Sequence, residues 1–332
     1  MTEQVETSAK EKPPGFREQL RAFGDKLPDK ALFAILFVLW IGLFHCYGNS
    51  TLGYIKTSSL FGWMDYAYSN RVDDEHGYFV PMVVLYLIWW KKDELAEVQK
   101  SIWWPALILL GAALALHVVG FQVQQTRISI VAFYGGLFVL TGLVWGWRWM
   151  QATFFPFFLT AFCVPLGNKA DTITQPLRQI ATDITATIAR GPLGYDVIQN
   201  GTTLFDPTGK FSYEVAAACS GLRSLTAISV LALVFAFVWF KPWWKRCIII
   251  AAAVPLAIGS NVFRLLSIVV SAEAFGQDAG NFVHDNGLLS MLPYVPAFIG
   301  LALLGWLLDG TLKRFIESCR TPDPEPEEGT VA

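Results

Sequence analysis

Charge is what this sequence has least of. Only 16% of its 332 residues are Asp, Glu, Lys or Arg, against about 25% in soluble proteins, so the chain lacks the polar surface of a water-soluble enzyme. Neither sign dominates: 25 basic residues face 27 acidic ones, for a net charge of −2. That balance provides no basic face, and no nucleic-acid partner is expected. Histidines number four and cysteines five, with no His, Cys and carboxylate spacing of a metal site, so neither a metal nor another cofactor is expected. A phosphate-binding glycine loop, a repeat of solenoid period and a soluble domain are also missing.

The sequence is instead 54% hydrophobic, and its apolar residues gather into eight runs: about 31–48, 77–90, 103–121, 128–146, 149–167, 218–240, 247–270 and 288–309. Runs of this order cross a hydrocarbon core of about 30 Å as helices rising about 1.5 Å per residue. The fold class that follows is all-α, a polytopic transmembrane bundle of about eight spans. With both termini inside, 16 of the 25 lysines and arginines fall on the cytoplasmic side, where positive charge is retained during insertion. Trp89-Trp90, Trp145, Trp147, Trp149 and Trp243-Trp244 lie beside those inner charges, as interfacial aromatics do.

On this reading residues 1–30 form a cytoplasmic tail, 31–309 the membrane domain and 310–332 an acidic cytoplasmic tail, disordered over its Pro- and Glu-rich end. No small-residue cleavage site follows the first apolar run, which is therefore read as uncleaved. The longest hydrophilic stretch, 168–217, falls on the outer face. Ile173, Leu177, Ile180, Ile184 and Ile188 recur there at spacings of three and four, with Asp171, Arg178 and Asp183 elsewhere. That pattern predicts an amphipathic helix on the membrane, ended by Gly191-Pro192. Residues 195–215 alternate around Asn200-Gly201, a hairpin signal. The stretch is either a small cap over a site at the outer surface or a plain tether.

Three ionisable residues within or beside the spans carry the possibility of chemistry, because such groups are costly in a membrane and tend to face a functional interior. Cys219 sits in Ala216-Ala217-Ala218-Cys219-Ser220-Gly221, where small neighbours leave a thiol uncovered; its bland alternative is a small buried hydrophobe. Arg264 lies in the outer half of the seventh run, where a snorkelling arginine is the alternative. His284 precedes the eighth run as a loop histidine. The charge count places all three toward the outer leaflet. Thiol, imidazole and guanidinium together suffice for acyl transfer, as nucleophile, proton shuttle and oxyanion donor. Arg223, four residues after Cys219, is a second candidate for the oxyanion role.

The run Glu214-Val215-Ala216-Ala217-Ala218-Cys219-Ser220-Gly221-Leu222-Arg223-Ser224-Leu225, followed by Asn261-Val262-Phe263-Arg264 and then His284, resembles the exosortase/archaeosortase family of membrane cysteine transpeptidases. His76-Gly77-Tyr78-Phe79-Val80-Pro81 is similar to that family's outer-face element before an early span. The resemblance covers about 75–309. It implies Cys219 as nucleophile, Arg264 as the essential arginine and His284 as the essential histidine, with Arg223 and His76 secondary.

It also implies partners: exported proteins ending in a short sorting motif, a transmembrane helix and a basic tail. These are cut near the motif and passed to an anchor or surface polymer, a lipid or polysaccharide acceptor. The implied location is the bacterial inner membrane, multi-pass, with the site facing the periplasm. The rival reading from another class is a transporter binding an anionic substrate through Arg264 and Arg223. Against it, the sequence has no paired broken helices or inverted repeat. Cys46 and Cys163, both near outer ends, leave a disulfide open as a question.

Overall fold

The computed structural model describes residues 15–51, 53–70, 72–167, 169–214, 221–286, 289, 292 and 294–310. The acidic carboxy-terminal run, for which the sequence predicts disorder, lies outside the described residues. The chain divides into two compact units, Met1–Asn70 with Gly77–Pro165, and Arg71–His76 with Leu166–Ala332.

The first unit contains α1 (Phe16–Asp25), α2 (Lys30–Tyr47), α3 (Leu60–Ser69), α4 (Val80–Trp90), α5 (Lys92–Glu97), α6 (Ala106–Gln122), α7 (Thr126–Trp145) and α8 (Trp147–Phe158). A 3-10 turn over Leu159–Cys163 completes it. Its axis is α7, apolar and buried along most of its length, with α2, α6 and α8 packed around it. Small residues allow this closeness. A side chain at Gly136 would place its Cβ 2.0 Å from the Trp40 ring, and one at Gly142 would place it 2.0 Å from the Met150 sulfur. Trp40 Nε1 donates to the Phe133 carbonyl at 3.0 Å, which pins α2 to α7. Gly136→Val is therefore expected to destabilise the protein by about 1–3 kcal/mol through overpacking. Thermal unfolding in detergent would measure it, and an unchanged midpoint would contradict this packing.

The second unit contains α9 (Lys169–Arg190), β1 (Ile198–Asn200), β2 (Thr203–Phe205), β3 (Ser212–Glu214), α10 (Gly221–Trp239), α11 (Trp243–Phe275), α12 (Gln277–Asp285) and α13 (Tyr294–Leu308). At about 1.5 Å per residue the 33-residue α11 is about 50 Å long, more than a hydrocarbon core of about 30 Å. Its two halves belong to different cores. Ile249, Ala253 and Ala257 pack with α10 and α13. Val262, Leu265, Ile268, Val269 and Ala272 pack with Ala181, Ala186 and Ala189 of α9 and with Val197, Leu204 and Phe211 of the sheet region.

The sheet is antiparallel in the order β1-β2-β3. Asn200 pairs with Thr203, and the intervening turn puts Gly201 at φ +59°, a conformation that favours glycine. Asp206 organises the next turn. Its Oδ2 accepts from Thr208 N at 3.0 Å, Lys210 N at 3.1 Å and the Thr208 hydroxyl. That hydroxyl bond, with the two backbone bonds, holds the carboxyl below its ordinary range.

All eight apolar runs contain helix, but three helices among the described residues, α2, α7 and α11, are long and apolar enough to cross a membrane by length and composition. Helix α6, residues Ser224–Trp239 and α13 are shorter apolar segments. The 149–167 run is not one helix. Pro156 lies inside α8, where it removes a backbone bond, and the chain passes into the 3-10 turn. Only 11 residues of the 77–90 run are α-helical, in α4.

The polar N-terminal stretch holds an unforeseen amphipathic helix, α1, whose Phe16 and Phe23 contact the Trp89 ring. Helix α9 appears over the span that the isoleucine spacing predicts and stops at Gly191; the face it buries lies beside the isoleucine stripe, with Ile188 of that stripe packed on the core. Thr174, Arg178, Ala181, Thr182, Thr185 and Ala189 are buried, with Arg178 only 4% exposed, whereas Ile180 and Ile184 are 44% and 39% exposed. An apolar stripe facing outward suits a helix whose surroundings are lipid.

Candidate functional site

The second unit holds every residue that the sequence nominates for chemistry. Arg264 is carried by α11. It lies 21 residues after Trp243, about 32 Å along the helix at about 1.5 Å per residue, which is about one hydrocarbon thickness. The exposed Trp243 and Trp244 mark the other end. Val262 and Leu265, on either side of Arg264, are buried in the core shared with α9 and the sheet region, and Ser260 and Asn261 are buried polar neighbours one turn back. The Arg264 side chain is half-buried, and its Nε is shielded from solvent without a hydrogen-bond partner among the described residues. Buried donors are nearly always satisfied, so an open one asks what it is kept for.

His284 is the penultimate residue of α12 and is half-buried. The sequence places it in a loop; the structure places it on a helix. Gly276 separates α11 from α12 at φ +89°, where an L side chain is strained, and its N–H bonds the Ala272 carbonyl at 2.8 Å. This turn folds α12 back against α11, and Val283, next to His284, packs on the core that holds Val262 and Leu265. The helices of Arg264 and His284 thus share one core.

Cys219 lies outside the described residues, between β3, which ends at Glu214, and α10, which begins at Gly221. Arg223 is in the first turn of α10, and its four-residue helical relation to Cys219 runs through residues outside those described. His76 is half-buried in a 3-10 helix over Val72–Tyr78. Within that turn the buried Asp74 accepts from the Leu166 N–H at 3.2 Å, a bond inside the second unit that joins its two stretches of chain.

Two groups escaped the sequence reading. Arg178, read there only as lying off the isoleucine stripe of α9, is buried, and its Nη2 donates to Thr174 Oγ1 at 3.0 Å. Its signal lies in the i, i+4 ladder Thr174, Arg178 and Thr182, a polar stripe about a quarter-turn from the isoleucines. Lys210 and Tyr213, in and beside β3, reach across to α11 and α12. Lys210 Nζ meets Glu273 Oε1 at 2.6 Å, and Tyr213 Oη donates to the Gln277 carbonyl at 2.8 Å. The Glu273 carboxylate raises the Lys210 ammonium above its ordinary range, and burial raises the Tyr213 phenol.

Cys46 is exposed and Cys163 buried, both as free thiols. Among the described residues no group of three or more His, Cys, Asp or Glu is gathered to hold a metal ion.

Comparison with curated proteins and with solved structures gives no match. A family model, transmembrane exosortase, matches residues 68–292. That range takes in His76, Cys219, Arg223, Arg264 and His284, as well as the whole sheet and α9 through α12. With two thirds of its length covered by that model, the chain belongs to the transmembrane exosortase family.

Proposed function

We propose that this protein is a membrane cysteine transpeptidase that processes exported proteins carrying a carboxy-terminal motif, a transmembrane helix and a basic tail. The Cys219 thiolate attacks the scissile carbonyl after His284 takes the thiol proton, and Arg264 donates to the oxyanion of the tetrahedral intermediate. Collapse expels the amine of the helix-bearing fragment, protonated by His284, and leaves the exported protein as a thioester on Cys219. A second nucleophile, on a lipid or polysaccharide acceptor, then takes the acyl group and releases the thiol. Arg223 is the alternative oxyanion donor, and His76 a secondary member of the site.

The observation that carries this reading is the open Nε of Arg264 in a core shared with the helix of His284. A guanidinium that keeps a shielded donor unused in the resting protein suits a charge that forms only during reaction. The transporter reading also uses Arg264, but membership of a sorting-enzyme family does not favour it.

The mechanism requires an outward-facing site in the inner membrane, with the sheet and α9 as its outer cap, and this is testable by labelling. In a background with the other cysteines removed, Asn200→Cys and Asn286→Cys are expected to react in intact cells with a thiol reagent that does not cross the inner membrane. Lys91→Cys and Lys241→Cys are expected to react only after permeabilisation. Labelling of Lys91→Cys from outside would reverse the orientation and separate the site from any exported substrate.

A further inference from the structure

The sheet and α12 stand at the two ends of the proposed chemistry. Strand β3 runs into the segment of Cys219, five residues beyond Glu214, and α12 carries His284 in its last turn. These elements are far apart in sequence, yet two contacts fasten β3 to α12, and an ion pair beside them ties the turn before β3 to the end of α11. Lys210, two residues before β3, is ion-paired with Glu273 in the last turn of α11 at 2.6 Å. Tyr213, the middle residue of β3, donates its hydroxyl to the carbonyl of Gln277, the first residue of α12, at 2.8 Å. One turn on, Gly280 lies flush against the same phenol: a Cβ there would sit 2.2 Å from Tyr213 Oη and 3.0 Å from the Ala272 Cβ. The Phe211 ring, stacked 5.8 Å from that of Tyr213, sits in the core on which Val283 packs.

The geometry points to Lys210 and Tyr213 as positioning residues, a clamp that holds the helix of His284 in register with the strand leading to Cys219. This inference rests on the proposed roles of Cys219 and His284. Two features separate the clamp from ordinary scaffolding. Its polar contacts are partly solvated, with Lys210 52% and Glu273 20% exposed, and ion pairs of that kind contribute little to stability. Its effect falls on relative placement, and a misplacement of about 1 Å costs on the order of a hundredfold in rate.

The test uses the full-length enzyme, purified in detergent, with a peptide that spans the cleavage site of a processed protein. Lys210→Glu and Glu273→Lys are each expected to lower kcat about tenfold, with KM within about twofold of wild type. The double exchange, Lys210→Glu with Glu273→Lys, is expected to restore kcat to within about threefold, because it rebuilds the pair with reversed sign. Tyr213→Phe, which removes one oxygen and keeps the ring, is expected to lower kcat about threefold to tenfold with unchanged thermal stability.

Wild-type kcat in Tyr213→Phe and in both single charge variants would overturn the clamp, and so would a double exchange no better than the single variants. Cys219→Ala is assayed beside them. Its inactivity together with active clamp variants would sink the clamp and keep the proposed function, whereas an active Cys219→Ala would sink both.

Discussion

Cys219→Ala is expected to abolish substrate processing, a loss of roughly 10³-fold or more, while leaving the protein folded in the membrane. The change removes one small thiol from a run of alanines, serine and glycine, so it leaves little cavity and little loss of packing energy. The chemistry loses its only route to a thioester. Cys219→Ser is expected to be almost as inactive, because a hydroxyl is far harder to ionise than a thiol. Cys247→Ala is expected to be tolerated, since that thiol is exposed near the start of α11, 17 residues before Arg264. Processing of a co-expressed substrate, followed by its change in mass, separates these outcomes. Wild-type processing by Cys219→Ala would remove the nucleophile assignment.

The second large effect is expected at Arg264. Loss of one oxyanion donor costs about 10²–10³ in kcat, and Arg264→Ala is expected to show at least that. Arg264→Lys is expected to be nearly as poor, because an ammonium cannot offer the planar, parallel donors of a guanidinium. Stability should move little, since Nε makes no hydrogen bond that the substitution would break. Activity lost without a fall in melting temperature distinguishes a donor held for a substrate from one that holds the fold. His284→Ala is expected to cost about 10²–10⁴, the range of general acid–base catalysis. If Arg223→Ala proves the more damaging arginine change, the two arginines exchange roles.

Much of this architecture can be read in the sequence, because lipid imposes long apolar runs that few other constraints produce. Helices α2 and α7 coincide with such runs, and the hairpin of β1 and β2 is announced by Asn200-Gly201, which supplies the left-handed residue that the turn needs. The third strand is not announced. It is three residues long, and its pairing depends on the turn that Asp206 organises.

Helix α9 shows a subtler limit. The spacing of its isoleucines gives two faces, but periodicity does not say which face is buried, and here Arg178 and the threonines turn inward. His284 reads as a loop residue because α12 has nine residues and no apolar run; it is the turn at Gly276 that makes a new helix there. At the site, residue type and order along the chain were legible. The open Nε of Arg264 and the ties from Lys210 and Tyr213 were not, because they depend on contacts between distant elements.

The central claim is that the reaction passes through a thioester on Cys219, and trapping with hydroxylamine tests it most directly. Purified enzyme turning over a peptide substrate in the presence of hydroxylamine is expected to release the amino-terminal fragment as its hydroxamate, seen by mass, with Cys219→Ala yielding none. Hydroxamate formed as fast by Cys219→Ala as by the wild-type enzyme would contradict the account.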